Sequence, residues 1–256
     1  MQEIESYPFL TVDEQPIYLN QALKYLQISG KLQPFILEIL RQNILEKELQ
    51  IRVQELDISS AVIEQAVIDF RLEQQLTDSQ KFQEWLGSNG LNYETFHNQV
   101  ASSFKLEKLK EQITEPKLQE YFIERKIFLD RVVLSRIIVN DKELAEELKS
   151  QISEGARFEQ LAQEYSVTDD RMLNGMMGAV SRGQMSDALR ALIDLAAPGE
   201  VIGPIEIEQS YCLFRVEQFL PAALEGKLKQ ELQNQLFEQW LAEKLQKLTI
   251  KLQVNL

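Results

Sequence analysis

The sequence predicts an α+β protein. An all-helical part, residues 1–130 completed by a C-terminal helix within 221–256, flanks a smaller α+β unit at 131–220. Three observations carry this expectation. Apolar residues recur at helical spacing from residue 18 to residue 130. At residue 131 the pattern changes to an almost continuous β-branched run. After Pro221 a single long helical stripe returns.

The elements follow in order. "FILEILRQNILEKELQIRV" sets Phe35, Ile36, Ile39, Leu40, Ile44, Leu45 and Leu49 on one broad apolar stripe, with Pro34 near the helix start. "SSAVIEQAVIDFRLEQQL" places Val62, Ile63, Ala66, Val67 and Phe70 on a second face, with Ser59 or Ser60 as its N-cap. A shorter helix over "SQKFQEWL" is expected to end before "GSNG". Asn92 then caps a helix in which Phe96, Val100 and Phe104 fall four apart. "TEPKLQEYFIERKIF" reads as a new helix, with Pro116 tolerated in its first turn.

"RVVLSRIIV" has the composition of a strand buried on both faces. Asn140 and Glu143 are spaced as a capping box for "KELAEELKSQI", which Gly155 ends; "RFEQLAQEYS" is a second short helix. A glycine-rich strand segment, a helix over "SDALRALIDL" and two strands joined by a turn complete the unit. In the last stretch Leu224, Leu228, Leu232, Leu236, Trp240, Leu241, Leu245 and Leu248 form one apolar stripe. A solitary helix with such a face needs a partner, and the N-terminal helices are the expected one; exchange of this helix between two copies would give a homodimer.

Bulk composition bounds the function. A net charge of −13 and a pI near 4.7 disfavour nucleic acid as a partner, since binding it requires a basic face that displaces counterions. The segments 1–130, 131–220 and 221–256 carry −8, −6 and +1, so no part is strongly basic. One cysteine excludes an intrachain disulfide, and one histidine with one cysteine leaves no metal constellation. The opening "MQEIESYPFLTVDEQP" lacks a basic leader and a long apolar run, and no stretch reaches the roughly 20 apolar residues of a membrane span. A cytoplasmic location is expected on that basis.

"NGMMGAVSRGQM", residues 174–185, concentrates three of the ten glycines and three of the five methionines in twelve residues. Together with "GARFEQLAQEYS" before it and "PGEVIGPIEIEQSYCLFRV" after it, this segment resembles the parvulin family of peptidyl-prolyl isomerases, in order and spacing across residues 131–220. The flanks resemble the helical chaperone module of the SurA and PrsA type: "TVDEQPIYLNQAL" looks like its opening strand and first helix. The resemblance implies an FKBP-like α+β fold for the central unit, no cofactor, and unfolded or proline-containing polypeptides as partners.

It also implies site residues. Met185 stands where the family methionine lines the proline pocket, Leu189 where the pocket phenylalanine falls, and Val180 at the aromatic of the G-x-F step. The polar set departs from the family: Arg136 and Cys212 stand where the two histidines belong, and Thr168, followed by Asp169, occupies the Cys/Asp position. Arg136 is expected to pair with Asp169 or to donate to a substrate carbonyl; an arginine on a strand is more often simply held by a carboxylate. Cys212 reads more naturally as a small buried hydrophobe than as a reactive thiol. The acidic pair Asp169–Asp170 reads as a solvated turn, His97 as a helix-surface or capping residue, and Trp85 and Trp240 as core anchors. Family resemblance therefore implies isomerase activity weakened by the altered polar set. The alternative is a holdase that keeps the groove for peptide binding alone.

Overall fold

The computed structural model describes residues 8–253. The start of the segment read for a leader, residues 1–7, lies outside them. The chain forms two compact units. One takes the chain up to Pro116 and again from Glu231; the other runs from Lys117 to Gln230.

The first unit opens with a hairpin, β1 (Leu10–Val12) and β2 (Gln15–Ile17), rather than the single strand expected there. Four helices follow: α1 (Leu19–Ile28), α2 (Leu32–Ile51), α3 (Ser60–Glu73) and α4 (Ser79–Ser88). Ser59 occupies the N-cap position of α3 without a side-chain capping bond. At α4 Asp78 is the cap, accepting from the backbone N–H groups of Gln80 and Lys81, and the helix runs on through Gly87.

The next helix, α5 (Tyr93–Leu129), departs most from expectation: it is continuous through Pro116, where the sequence reads as two helices. Its start is capped as expected, Asn92 Oδ1 accepting from Thr95 N–H at 2.8 Å. Proline forfeits one ladder bond in a helix interior, but Leu109 and Thr114 before it and Leu118 and Phe122 after it are all buried. Packing on both sides outweighs the local break.

The last helix, α9 (Gly226–Gln246), closes this unit. Its Phe237 and Leu241 share a core with Ile44, Leu45, Leu56 and Leu109. Two ion pairs pin it to α2, Arg41 with Glu238 at 2.6 Å and Lys244 with the buried Glu48 at 2.5 Å. A second cluster joins Val67, Phe82, Leu86 and Phe96, with Phe70 and Trp85 ring-packed around Phe96. Not all of the expected stripe on α2 and α3 is used: Phe35, Ile39 and Val62 are exposed.

The second unit is a four-stranded antiparallel sheet. Its strands are β3 (Arg131–Val139), β4 (Met176–Ser181), β5 (Val201–Ile207) and β6 (Ser210–Leu220), in the order β4-β3-β6-β5. Helices α6 (Lys142–Ser153) and α7 (Phe158–Tyr165) cover one face, where Ala145, Leu148, Phe158 and Ala162 pack on Ile137, Val139 and Leu213. The cap of α6 is Asp141, which accepts from Leu144 N–H, in place of the expected Asn140. Helix α8 (Asp187–Leu195), capped by Ser186, lies on the other face. The central strand β3 is thus covered on both sides, as its continuous apolar run requires.

Candidate functional site

The candidate side chains sit on the α8 face of the sheet. Alternation along β6 sends Cys212, Phe214 and Val216 to this face and Leu213 to the other. On β3, Ile138 packs into the same cluster, and Arg136, two residues earlier, shares its face. The register sets Ile138 opposite Cys212 and Arg136 opposite Phe214, so Arg136 and Cys212 are diagonal neighbours across the strand pair.

The three expected pocket residues come together there. Met185 is buried in the cluster, and Val180 from β4 and Leu189 from α8 pack against it, along with Met177. These four apolar side chains and Cys212 belong to one packed cluster, with Met185 and Cys212 buried and Val180, Leu189 and Met177 partly exposed at its edge. Met177 precedes Val180 by three residues on the same glycine segment and is not singled out in the sequence.

The glycine segment is built to reach this sheet. Gly175 takes φ +77°, and a Cβ there would lie 2.3 Å from the carbonyl oxygen of Arg136. No side chain fits that gap, and the left-handed backbone favours glycine as well. The contact is a hydrogen bond, Arg136 N–H donating to the Gly175 carbonyl at 2.8 Å.

Arg136 is paired with Asp170, not with Asp169: Nε donates to Oδ2 at 2.6 Å. Asp170 lies in a 3₁₀ turn (Asp169–Leu173) that follows α7, and its side chain is 14% exposed, so it is not the solvated residue its sequence context suggests. Asp169 itself is exposed. Thr168, the residue at the family's Cys/Asp position, donates from Oγ1 to Asp170 Oδ1.

That bond fixes the polarity of a longer chain. Thr168 spends its only proton on a carboxylate, which can only accept. The 3.1 Å contact between Ser166 and Thr168 must then run from the serine hydroxyl to the threonine oxygen. Ser166 Oγ in turn accepts from Ile138 N–H at 3.1 Å. The order is Ile138 N–H to Ser166 to Thr168 to Asp170, with Arg136 closing from the other side. The alternation Ser166-x-Thr168-x-Asp170, directly after a helix end, is the sequence signal that would have identified Ser166 and Asp170.

Cys212 is 2% exposed. Burial pushes its thiol above the ordinary value, against a smaller opposing pull from the Arg136 charge. It is a neutral thiol in an apolar cluster. The remaining residues singled out are structural here: His97 Nε2 lies 3.2 Å from Glu64 Oε1, and Trp240 stacks on Phe237. A groove of about 520 Å³ lies elsewhere, in the helical unit, lined by Leu45, Leu49, Val53 and Leu106 among others. No group of three metal-ligating side chains occurs among the described residues.

The second unit is thus an antiparallel sheet backed by two helices, with a third helix and a glycine-rich strand framing an apolar cluster beside a polar relay. The family model for rotamase, described as the PPIC-type PPIASE domain, matches residues 137–218. Residues 137–218 thus carry a domain of the parvulin-type rotamase family, and the chain is similar in sequence to PrsA foldases. It is 28% identical to the foldase protein PrsA of Bacillus subtilis over 131 residues, covering 51% of this chain and 43% of that protein. Against foldase protein PrsA 2 of Listeria innocua it is 25% identical over 143 residues, 54% of this chain and 48% of that one. The chain thus spans less than half the length of these relatives. The crystal structure of peptidylprolyl isomerase PrsA from Bacillus cereus superposes with a TM-score of 0.47 at 18% identity, over 98% of this chain and 95% of that one.

Proposed function

We propose that this protein is a folding factor that isomerises prolyl bonds in unfolded polypeptides. The observation that carries the reading is the apolar cluster in which partly buried Val180 and Leu189 pack around Met185 and Cys212, with a partly exposed arginine donor on the same face of the sheet. Prolyl isomerisation breaks no covalent bond; its barrier, about 18–20 kcal/mol, is rotation about a partly double C–N bond. A catalyst needs an apolar shelf that grips the proline ring and a polar group that binds the twisted amide better than the planar one. Met185 and Leu189 supply the first and Arg136 the second. Exposed apolar residues on the helical unit, Phe35, Leu37, Ile39, Ile51 and Val53, support the holding of unfolded segments.

A second reading is favoured by the polar set itself. Arg136 is already engaged by Asp170 and the Cys212 thiol is buried, so the groove would bind peptide without accelerating rotation. One titration separates the two. Proline-limited refolding of a reporter protein is followed from catalytic to stoichiometric amounts of wild type, of folded Met185→Ala, and of Arg136→His/Cys212→His. An isomerase accelerates the slow phase at substoichiometric amounts and loses this in Met185→Ala. A holdase only retards refolding near stoichiometry, and gains catalysis in the double histidine variant with little change in peptide affinity.

A further inference from the structure

We propose that Asp170 is a positioning residue of this site, holding the Arg136 guanidinium so that its terminal nitrogens donate to the proline nitrogen of the twisted amide. The inference rests on the isomerase reading and specifies its polar half. Both carboxylate oxygens of Asp170 are committed inside the protein, Oδ2 to Arg136 and Oδ1 to Thr168, which is itself backed by Ser166 and the β3 backbone. The main chain closes a second circuit: the Asp170 carbonyl accepts from Gly175 N–H at 2.9 Å, and the Gly175 carbonyl accepts from Arg136 N–H at 2.8 Å. Asp170 is therefore fixed at both its backbone and its side chain, and cannot swing with a mobile arginine.

The grip is one-sided. Asp170 takes Nε only, and among the described residues no hydrogen bond is formed by the two terminal nitrogens of Arg136, whose side chain is 30% exposed on the face that carries Met185 and Cys212. Amide chemistry selects their acceptor. In the planar amide the nitrogen lone pair is delocalised into the carbonyl and accepts no bond; rotation through 90° returns it to nitrogen. A donor to that nitrogen stabilises the twisted state alone, whereas a donor to the rotating carbonyl would favour the planar one. Arginine suits the task because it only donates and stays charged. A guanidinium free to rotate would lose this alignment, and aligning it is what Asp170 does.

The test uses a proline-containing reporter peptide with the full chain, measuring kcat, peptide affinity and near-ultraviolet circular dichroism. Asp170→Asn is expected to lower kcat about tenfold while peptide affinity shifts less than about twofold, because only a transition-state contact is disturbed. Arg136→Ala is expected to lose as much and to regain part of its rate in millimolar methylguanidinium, but not in methylammonium. Adding Asp170→Asn to Arg136→Ala abolishes that rescue. Methylguanidinium rescue supports the proposal even if the Asp170→Asn protein does not fold. Wild-type kcat in folded Asp170→Asn, or no rescue of Arg136→Ala by methylguanidinium, overturns it while leaving the isomerase reading intact. A wild type that binds the peptide without accelerating its isomerisation overturns the isomerase reading, and this proposal with it.

Discussion

Asp130 is buried at the start of β3 and accepts from three directions: Lys126 Nζ at 2.9 Å, Arg182 at 3.2 Å and the Ala222 N–H at 2.8 Å. Burial alone would raise its pKa, but these donors outweigh it and hold the carboxyl below its ordinary value. A depressed folded-state pKa means that its contribution to stability is complete above the unfolded value, about 3.9, and is lost as pH falls through the lower folded one. Asp130→Asn is expected to cost about 1–3 kcal/mol at neutral pH, since Lys126 and Arg182 then face a neutral amide. It also makes the acid-side loss of stability shallower, read as urea midpoints by circular dichroism from neutral pH downward. Parallel curves for the two proteins would exclude this role. The positions of Arg136, Thr168, Cys212, Val180, Met185 and Leu189 were legible as pattern positions. The pairing with Asp170 was not, because it joins a strand to a turn 34 residues later and depends on where the chain folds back.

Among the elements, the glycine-rich strand and α5 behave in opposite ways. The glycine segment is locally determined. Gly175 and Gly178 both take positive φ, yet a Cβ at Gly175 meets the Arg136 carbonyl while one at Gly178 meets nothing within 4 Å. Gly178→Ala should then cost only backbone strain, about 1–2 kcal/mol. Gly175→Ala adds displacement of β4 from β3, is expected to be the more destabilising of the two in urea, and weakens peptide isomerisation by moving Arg136 off Asp170. Equal urea midpoints would show that the close approach relaxes freely. For α5 the local signal misleads: Pro116 reads as a helix start, but buried residues on both sides carry the helix through it. The Ser-Ser and Asn-Asp cap choices missed by a residue or failed to form a bond for a smaller version of the same reason, since neighbouring polar residues compete for one cap position.

Across the whole molecule, the helical unit is discontinuous in sequence. Arg41 and Glu238, 197 residues apart, form a two-bond ion pair, and Phe237 and Leu241 complete a core begun by Ile44 and Leu45. Closing so long a loop costs little more than closing a shorter one, because the entropic penalty grows only with the logarithm of length. The buried side chains must still repay it. Leu241→Ala, at 1% exposure, is expected to cost about 2–5 kcal/mol and to lower the urea midpoint of helical circular dichroism. An unchanged midpoint would mean that α9 does not stabilise this unit.

The sequence by itself determined most of the elements, the α+β class, the resemblance to a family and the apolar residues of the candidate site, because periodicity, glycine spacing and capping residues act over a few positions. Tertiary structure decided three things. It chose which apolar residues of α2 are used, it carried α5 past its proline, and it set Asp170 rather than Asp169 against Arg136. Each depends on groups far apart in the chain that must share one small volume. Pairwise distance and burial there override what each residue would do among its sequence neighbours.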